Sequence, residues 1–595
     1  MITRHFHIFS PRFTQGEGRA EKACDSDLCQ QQNYWLERGL QGQLFRKEVY
    51  GLDNTVVSDV PYAVTEQRPQ VRLIESQGRS PVVMPSIVES RDYHYERIAS
   101  DPICHQHIIL EQDGYGFVSK AVSIDYPRRP KGAKNPYQHY ESLPETLWAS
   151  SYDAQQHTLR LSLSRQTCHH INHSERQIYQ LSVIATSRQD IWTYGAEQQP
   201  KDGLNVEALL ASNNLLTQKS VFVGQQQLAY MDVNGSATLL EPDFPVRLAS
   251  SETAELDEET ANAISQPYPT LKLDEVMKNA GYQQKAYLFA DESEKGKTLW
   301  VKPLLGIKTY GSLAQFYRPL VYKKTALSCD YTLLWDKQFC VLMGKKSPLN
   351  MQDFHLTYDW RFLSPNSITD ANHNIHQVTF DGLGRVTTTR FSGTENGEQS
   401  GYSDKAFTMP TTIDGALALT STLPIATGFV YVTDSWMQTS AKLPPHALQI
   451  MTDRYDRDPQ QQIRQQIAFS DGLGRLLQTS VRVEAGEAFL RSEKGALVVG
   501  SVQQAQQKRT TTRWAISGET EYDNKGNVKR VYQPYFLNDW RYVSESSSQP
   551  NRFADTHYYD ALGRLYRVNT ANHYQRNTIV TPWFMAQEDE NDTLV

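Results

Sequence analysis

The feature that most restricts what this chain can fold into is a seven-residue unit occurring three times: Phe380-Asp381-Gly382-Leu383-Gly384-Arg385-Val386, Ser470-Asp471-Gly472-Leu473-Gly474-Arg475-Leu476 and Tyr559-Asp560-Ala561-Leu562-Gly563-Arg564-Leu565. The Asp of such a unit accepts hydrogen bonds from its own turn backbone, and the Gly supplies the positive φ that closes a tight β connection. The flanking residues then belong to the two strands of a hairpin. Just downstream, Leu477, Thr479, Val481 and Val483 alternate with Gln478, Ser480 and Arg482, as a half-buried strand requires. A degenerate fourth unit, Tyr522-Asp523-Asn524-Lys525-Gly526-Asn527-Val528, keeps the Asp and the Gly and has Asn where the Arg would stand. The expected structural turn residues are therefore Asp381, Gly384, Arg385, Asp471, Gly474, Arg475, Asp523, Gly526, Asp560, Gly563 and Arg564. Asp381, Asp471 and Asp560 stand 90 and 89 residues apart. Several strands must fill each interval, some from units that have drifted and some from insertions such as 484–507.

The units resemble the Tyr-Asp repeats of Rhs proteins. Thr357-Tyr358-Asp359-Trp360-Arg361, the run from Val531 to Tyr542 and Thr581-Pro582-Trp583-Phe584 further resemble the carboxyl end of the B component (TcaC/TcdB-like) of bacterial insecticidal toxin complexes. Tyr34-Trp35-Leu36, Pro61 to Gln67, Arg91 to Arg97 and Leu143 to Trp148 resemble the middle of the same component. This resemblance implies an all-β Rhs-repeat sheet, half of a hollow cocoon, with a few short surface helices. It also implies an Rhs-repeat C component as partner, with which the shell encloses and delivers a cytotoxic polypeptide, and an A component reached through a β-propeller that is not recognisable here. The chain then reads as the back part of a longer B component, made in the bacterial cytoplasm and secreted without a classical signal peptide. Its segments are a truncated start (1–32), a β-rich middle module (33–200), a mixed segment with short helices (201–281) and the repeat shell (282–595). In that family the autoprotease and the toxic domain lie in the C component, so no catalytic residue, cofactor or metal is expected. Two other readings are an Rhs cell-surface adhesion protein, which calls for an export signal or membrane span, and the remnant of a polymorphic Rhs effector, which calls for an enzymatic domain after the last repeat.

Composition fits a β-rich surface, with 32 Tyr, 21 Phe and 10 Trp. A chain of 595 residues exceeds what one core serves, whereas stacked strand units need bury only their neighbours. A net charge of -7 is too small at this length to draw the chain onto nucleic acid or an anionic membrane. No run reaches the ~20 apolar residues of a membrane span. Six cysteines (Cys24, Cys29, Cys104, Cys168, Cys329 and Cys340) are too few for a disulfide scaffold.

Helices are expected at Asn205 to Ala211, behind a capping Asn, and at Leu273 to Ala280, ended by Gly281. Ser250 to Ala261 reads as an acidic, strand-poor surface excursion holding one short helix. The basic run from Arg128 to Lys134 sits between turn formers and reads as a solvated loop. Phe316-Tyr317, Trp335-Asp336 and Tyr358-Asp359 read as worn repeat units without the turn glycine. Cys168-His169-His170 with His173 is the most suggestive metal cluster, since His169 and His173 would share a helical face. The flanking strand-like runs, Leu159 to Leu163 and Ile178 to Val183, instead place it in an exposed hairpin tip. Cys104-His105-Gln106-His107 is weaker. Asp453-Arg454-Tyr455-Asp456-Arg457-Asp458 interleaves acids with arginines and reads as a salt-bridged surface turn rather than a calcium loop. Finally, the aromatic stretch from Tyr558 to Val568 and its continuation to Val580 read as an unblunted terminal edge for a partner strand.

Overall fold

Leu159, Leu161 and Leu163 alternate with Arg160 and Ser162, and all three leucines fall on the buried face of one strand, Thr158–His173. Burying them contributes roughly 5–9 kcal/mol before conformational entropy is set against it. The computed structural model describes all residues except 1–10, 16–29, 76–80, 133, 139, 141–142, 201–202, 233, 236–237, 240–241, 269, 350, 421, 438–441, 494, 500–504, 544–552 and 594–595. Cys24 and Cys29, and most of segment 1–32, lie outside the described residues. The fold is all-β with short helices only, and it divides into two compact units: residues 1–331 with 579–585, and residues 332–578 with 586–595.

The first unit is built on a 13-stranded sheet. Ala63–Glu75, Val82–His94, Ile103–Gln112, Val118–Asp125, Thr158–His173, Ile178–Gly195, Val221–Met231 and Leu248–Leu256 follow one another as antiparallel neighbours. Val88, Ile108, Val122, Ile124, Trp192 and Tyr194 join the three leucines in one core. The helix Val206–Leu210 adds Val206 and Leu209 to that core, and its Asn205 caps it by accepting from Ala208 N–H at 2.7 Å. Arg188 and Asp190, both buried, are paired, which offsets the cost of desolvating them. Arg188 meets Asp190 and Glu294, and its Nη1 donates to the Leu288 carbonyl at 2.8 Å, which ties the segment after the strand Gln283–Ala286 to the sheet.

In the second unit the strands Leu342–Lys346, Gln352–Asp359, Ser364–Asp370, Ile375–Phe380 and Val386–Glu395 form sequential hairpins. Val386–Glu395 pairs with Glu398–Gly401 towards one end and with Thr427–Val432 towards the other. The ladder continues through His446–Thr452, Ile463–Ser470, Leu476–Val483 and Arg513–Ser517. Leu448, Ile450, Ile467, Phe469, Trp514 and Ile516 form its core, with Ile413 and Ala416 of the helix Ile413–Leu417. A separate six-stranded sheet runs in the order Thr520–Tyr522, Val528–Tyr532, Ala554–Tyr559, Leu565–Asn569, Gln575–Val580, Met585–Glu588.

The helices come close to expectation, at Val206–Leu210 and Leu273–Asn279, and Gly281 after the latter has φ +85°. Three expectations are corrected. Ser250 to Ala261 is not an excursion: Leu248–Leu256 pairs on both sides, with Val221–Met231 and Thr298–Leu305, because Ala249 and Ala254 are small enough to pack inward. The acids that follow serve the helix Glu258–Ser265, where Asp257 caps Thr260 N–H at 2.8 Å and Glu258 and Glu259 occupy the first turn. Arg128 is not solvated but 1% exposed. Its partner, Asp101, is 27 residues away, so no local pattern announces the pair. The stretch from Tyr558 to Val580 is not an edge, since its strands Ala554–Tyr559, Leu565–Asn569 and Gln575–Val580 are all interior to their sheet.

Candidate functional site

The four Asp units are four hairpin turns of one geometry. In three of them Asp Oδ1 accepts from the backbone N–H two and four residues on: Leu383 and Arg385 for Asp381, Leu473 and Arg475 for Asp471, Leu562 and Arg564 for Asp560, all at 2.9–3.0 Å. Oδ2 accepts from the Nε of Arg385, Arg475 and Arg564 at 2.7, 2.6 and 2.8 Å. At Asp523 the same Oδ1 contacts go to Lys525 and Asn527, and Asn527 Nδ2 replaces the guanidinium at 3.1 Å. Gly384, Gly474, Gly526 and Gly563 have φ between +78° and +87°, and each hairpin carries a one-residue register shift beside the turn. This is a turn followed by a left-handed residue that forms a bulge, the geometry in which Gly is favoured. The Arg385 N–H is the foremost of the contacts that hold the Asp381 carboxyl below its ordinary range. Arg385 and Arg475 also lie over the rings of Tyr431 and Tyr522, at 4.5 and 4.4 Å.

Other members of the series lack the glycine. Asp370 accepts from Asn372 and Asn374 N–H at 2.8 Å, and His373 takes the left-handed position at φ +63°. Asp336 accepts from Cys340 and Val341, with Phe339 at φ +57°. Thr570 accepts from Tyr574 N–H, with His573 at φ +68°. The carboxylate or hydroxyl thus specifies the turn and Gly only eases it; Trp335-Asp336 is the worn unit expected from the sequence, and a search for Asp or Thr three residues ahead of Gly, His or Asn would have found the turns at Asp370 and Thr570. The hairpin between Val386–Glu395 and Glu398–Gly401 turns on Asn396-Gly397, at φ +52° and +85°, an Asn-Gly signal passed over in the sequence.

In the first unit Asp113 makes the same turn: Oδ1 accepts from Tyr115 and Phe117 N–H at 2.9 Å, and Gly116 has φ +90°. No Arg or Asn stands four residues on. Oδ2 receives His170 Nε2 at 2.6 Å instead, and the Cys168 thiol lies 3.3 Å from that nitrogen. Cys168 and His170 share a face because they stand two apart on the strand Thr158–His173, whereas the helical pairing of His169 with His173 does not exist. His173 approaches Asp243 at 3.9 Å. Burial would raise the Asp113 carboxyl, but the hydrogen bonds from His170, Phe117 and Tyr115 outweigh it and hold it below its ordinary value. Burial first, and then the neighbouring Asp113, push the Cys168 thiol up to about 11. The acid-rich run at 453–458 is a salt-bridged turn with Arg454 to Asp458 at 2.9 Å, and Asp456 accepts from Ser403 N–H at 2.8 Å.

Asp101 forms a buried junction in the first unit. Arg128 Nη2 donates to Asp101 Oδ2 at 2.8 Å and Tyr137 Oη donates to the same oxygen at 2.7 Å. Arg128 lies over the Tyr152 ring at 3.7 Å and the Trp583 ring at 5.0 Å, and Trp583 Nε1 donates to the Asp101 carbonyl at 3.1 Å. Phe584 meets Tyr137 edge to face at 5.0 Å.

Residues 35–181 match the family model described as insecticide toxin TcdB middle/C-terminal region. The crystal structure of TcdB2-TccC3 is 44% identical over 98% of this chain with a TM-score of 0.88, and 28% of that chain is covered. The chain is TcdB-like. The TcdB2-TccC3-Cdc42 crystal structure has a TM-score of 0.89 at 40% identity, over 98% of this chain and 30% of its own. A Photorhabdus luminescens Tc holotoxin pore with a substituted TccC3 gives 0.89 and 40%, over 98% of this chain and 29% of its own. This TcdB-like chain therefore spans less than a third of the chains it matches. No curated protein sequence matches it.

Proposed function

We propose that this chain is a non-enzymatic wall segment of a secreted toxin complex, which with an Rhs-type C component encloses a cytotoxic polypeptide for delivery. The observation that carries the reading is the 98% coverage of this chain by TcdB2-TccC3 at 44% identity. Its physical basis is the sheet. Strand ladders satisfy the backbone along their whole length, and the aspartate turns satisfy it at the hairpin ends, so a broad inner face stays free to shield a passenger. The Asp and Gly of these turns are structural, and the A component is engaged through parts outside this chain. Among the described residues no helix is long and apolar enough to cross a membrane. Among the described residues the strand Met585–Glu588 has a single neighbour in its sheet, Gln575–Val580, and the seam with the partner lies at that outer strand.

The test is co-expression with an Rhs-repeat C component, followed by size-exclusion chromatography and timed trypsin digestion. The expected result is co-elution, with the carboxyl segment of the C component digested more slowly than when that component is made alone. Separate elution, or equal digestion, would overturn the proposal.

A further inference from the structure

We propose that Asp113, Cys168 and His170 form a binding site for Zn2+. Their ligand atoms Oδ2, Sγ and Nε2 lie within 4.8 Å of one another. The three residues come from two places that the fold brings together, the turn at Asp113 and the strand Thr158–His173. A thiolate, an imidazole and a carboxylate are the donor set of a borderline-soft divalent cation and not of calcium or magnesium.

The geometry requires one small rearrangement. On a tetrahedral Zn2+ with ordinary bond lengths, ligand atoms stand about 3.4–3.6 Å apart. Sγ to Nε2 is 3.3 Å and Sγ to Oδ2 is 3.9 Å, both close to this, whereas Nε2 to Oδ2 is 2.6 Å. The hydrogen bond from His170 to Asp113 must therefore open by under 1 Å and give way to two metal bonds. Asp113 can move Oδ2 without losing its turn, because Oδ1 makes the turn contacts to Tyr115 and Phe117. The fourth position is taken by water.

Cys168 binds as its thiolate and releases its proton to water, and the proton on Nε2 needs a destination as well. His170 Nδ1 accepts from the Ser182 backbone N–H at 3.1 Å, which fixes the proton of the neutral ring on Nε2. Zinc at Nε2 moves that proton to Nδ1, where it needs an acceptor. Ser182 lies outside the ladder, since His169 pairs with Val183 and Ile171 with Gln180, and it is held at φ +59°. Rotating the Leu181–Ser182 peptide by about half a turn presents the Leu181 carbonyl to Nδ1–H. The same rotation takes Ser182 out of the left-handed region, which is costly for a residue with a Cβ. A ring N–H donated to a backbone carbonyl is the usual outer partner of a zinc-bound histidine. Metal binding and release of that backbone strain are thus coupled.

The experiment is a zinc titration of the whole chain, followed by removal of free metal, metal analysis and X-ray absorption at the zinc edge. We expect one zinc per chain with one sulfur in its shell, the sulfur signal being read on the parent and so independent of any variant's folding. Cys168→Ser, His170→Gln and Asp113→Asn should each lose that zinc, the last while keeping its Oδ1 turn contacts, and His169→Gln and His173→Gln should keep it. Absence of stoichiometric zinc, a shell without sulfur or with two, or loss of zinc in His169→Gln or His173→Gln would overturn the assignment.

Discussion

Replacing Arg128 by Met should be among the most damaging single changes in the first unit. Its guanidinium is fully buried, the Asp101 side chain is 3% exposed, and the pair is closed by Tyr137, Ser151 and Gln156 as further partners. Removing the cation leaves the Asp101 carboxylate in a dry site with Tyr137 Oη as its remaining side-chain donor. Stranding one member of a buried ion pair costs about 3–5 kcal/mol. The first unit has about 340 residues. At an unfolding entropy near 2.1 cal/mol/K per residue, each kcal/mol is worth about 1.4 °C, so the transition of this unit should fall by about 4–7 °C. Because Trp583 lies over Arg128 and donates to the Asp101 carbonyl, residues 579–585 should also exchange amide hydrogen faster. Adding Asp101→Asn removes the stranded charge and should restore much of the loss. Differential scanning calorimetry of parent, single and double variants measures the fall and its rescue, and hydrogen-exchange mass spectrometry measures the exchange at 579–585. A fall under about 1 °C for Arg128→Met, or a double variant no more stable than it, would refute the account of Arg128 as a structural cation.

Two further predictions concern the second unit. A Cβ added at Gly563 meets nothing within 4 Å, whereas at Gly384 it meets the Phe362 ring at 3.1 Å, so Gly563→Ala should cost about 1–2 kcal/mol of backbone strain and Gly384→Ala more; equal thermal shifts would contradict this. Burial holds the His446 imidazole below its ordinary value, so as pH falls the unfolded chain takes up this proton first, and native stability declines from about pH 6.5 downward. His446→Phe should lose less thermal stability than the parent between pH 7.5 and 5.5, and parallel losses would count against the assignment.

What could be read in the sequence was local. Leu159, Leu161 and Leu163 announce a half-buried strand because strand periodicity depends only on neighbours, and Asp471-Gly472-Leu473-Gly474-Arg475 announces a turn because all its hydrogen bonds close within five residues. What was missed was set at a distance or by substitution. Asp101 with Arg128, and Asp113 with His170, pair residues 27 and 57 apart. Asp370 was missed because His373 fills the place of the expected glycine. The acidic run at 250–261 misled because charge composition was weighed above the small residues that let Leu248–Leu256 enter the sheet.

Most strands of both units pair with the strand made just before them. Such a chain seldom has to close a loop much longer than a hairpin, and closure entropy together with folding time stays low when contacts are near in sequence. Assembly can then follow the ribosome as a moving front, each new hairpin docking on the last one finished, and the junction of residues 579–585 with Asp101 and Arg128 is what waits for the remote end. The front is always an open ladder, however, and until the next strand arrives it is as ready to accept a neighbour's strand as its own. Crowded synthesis should therefore favour intermolecular strand exchange at the growing end.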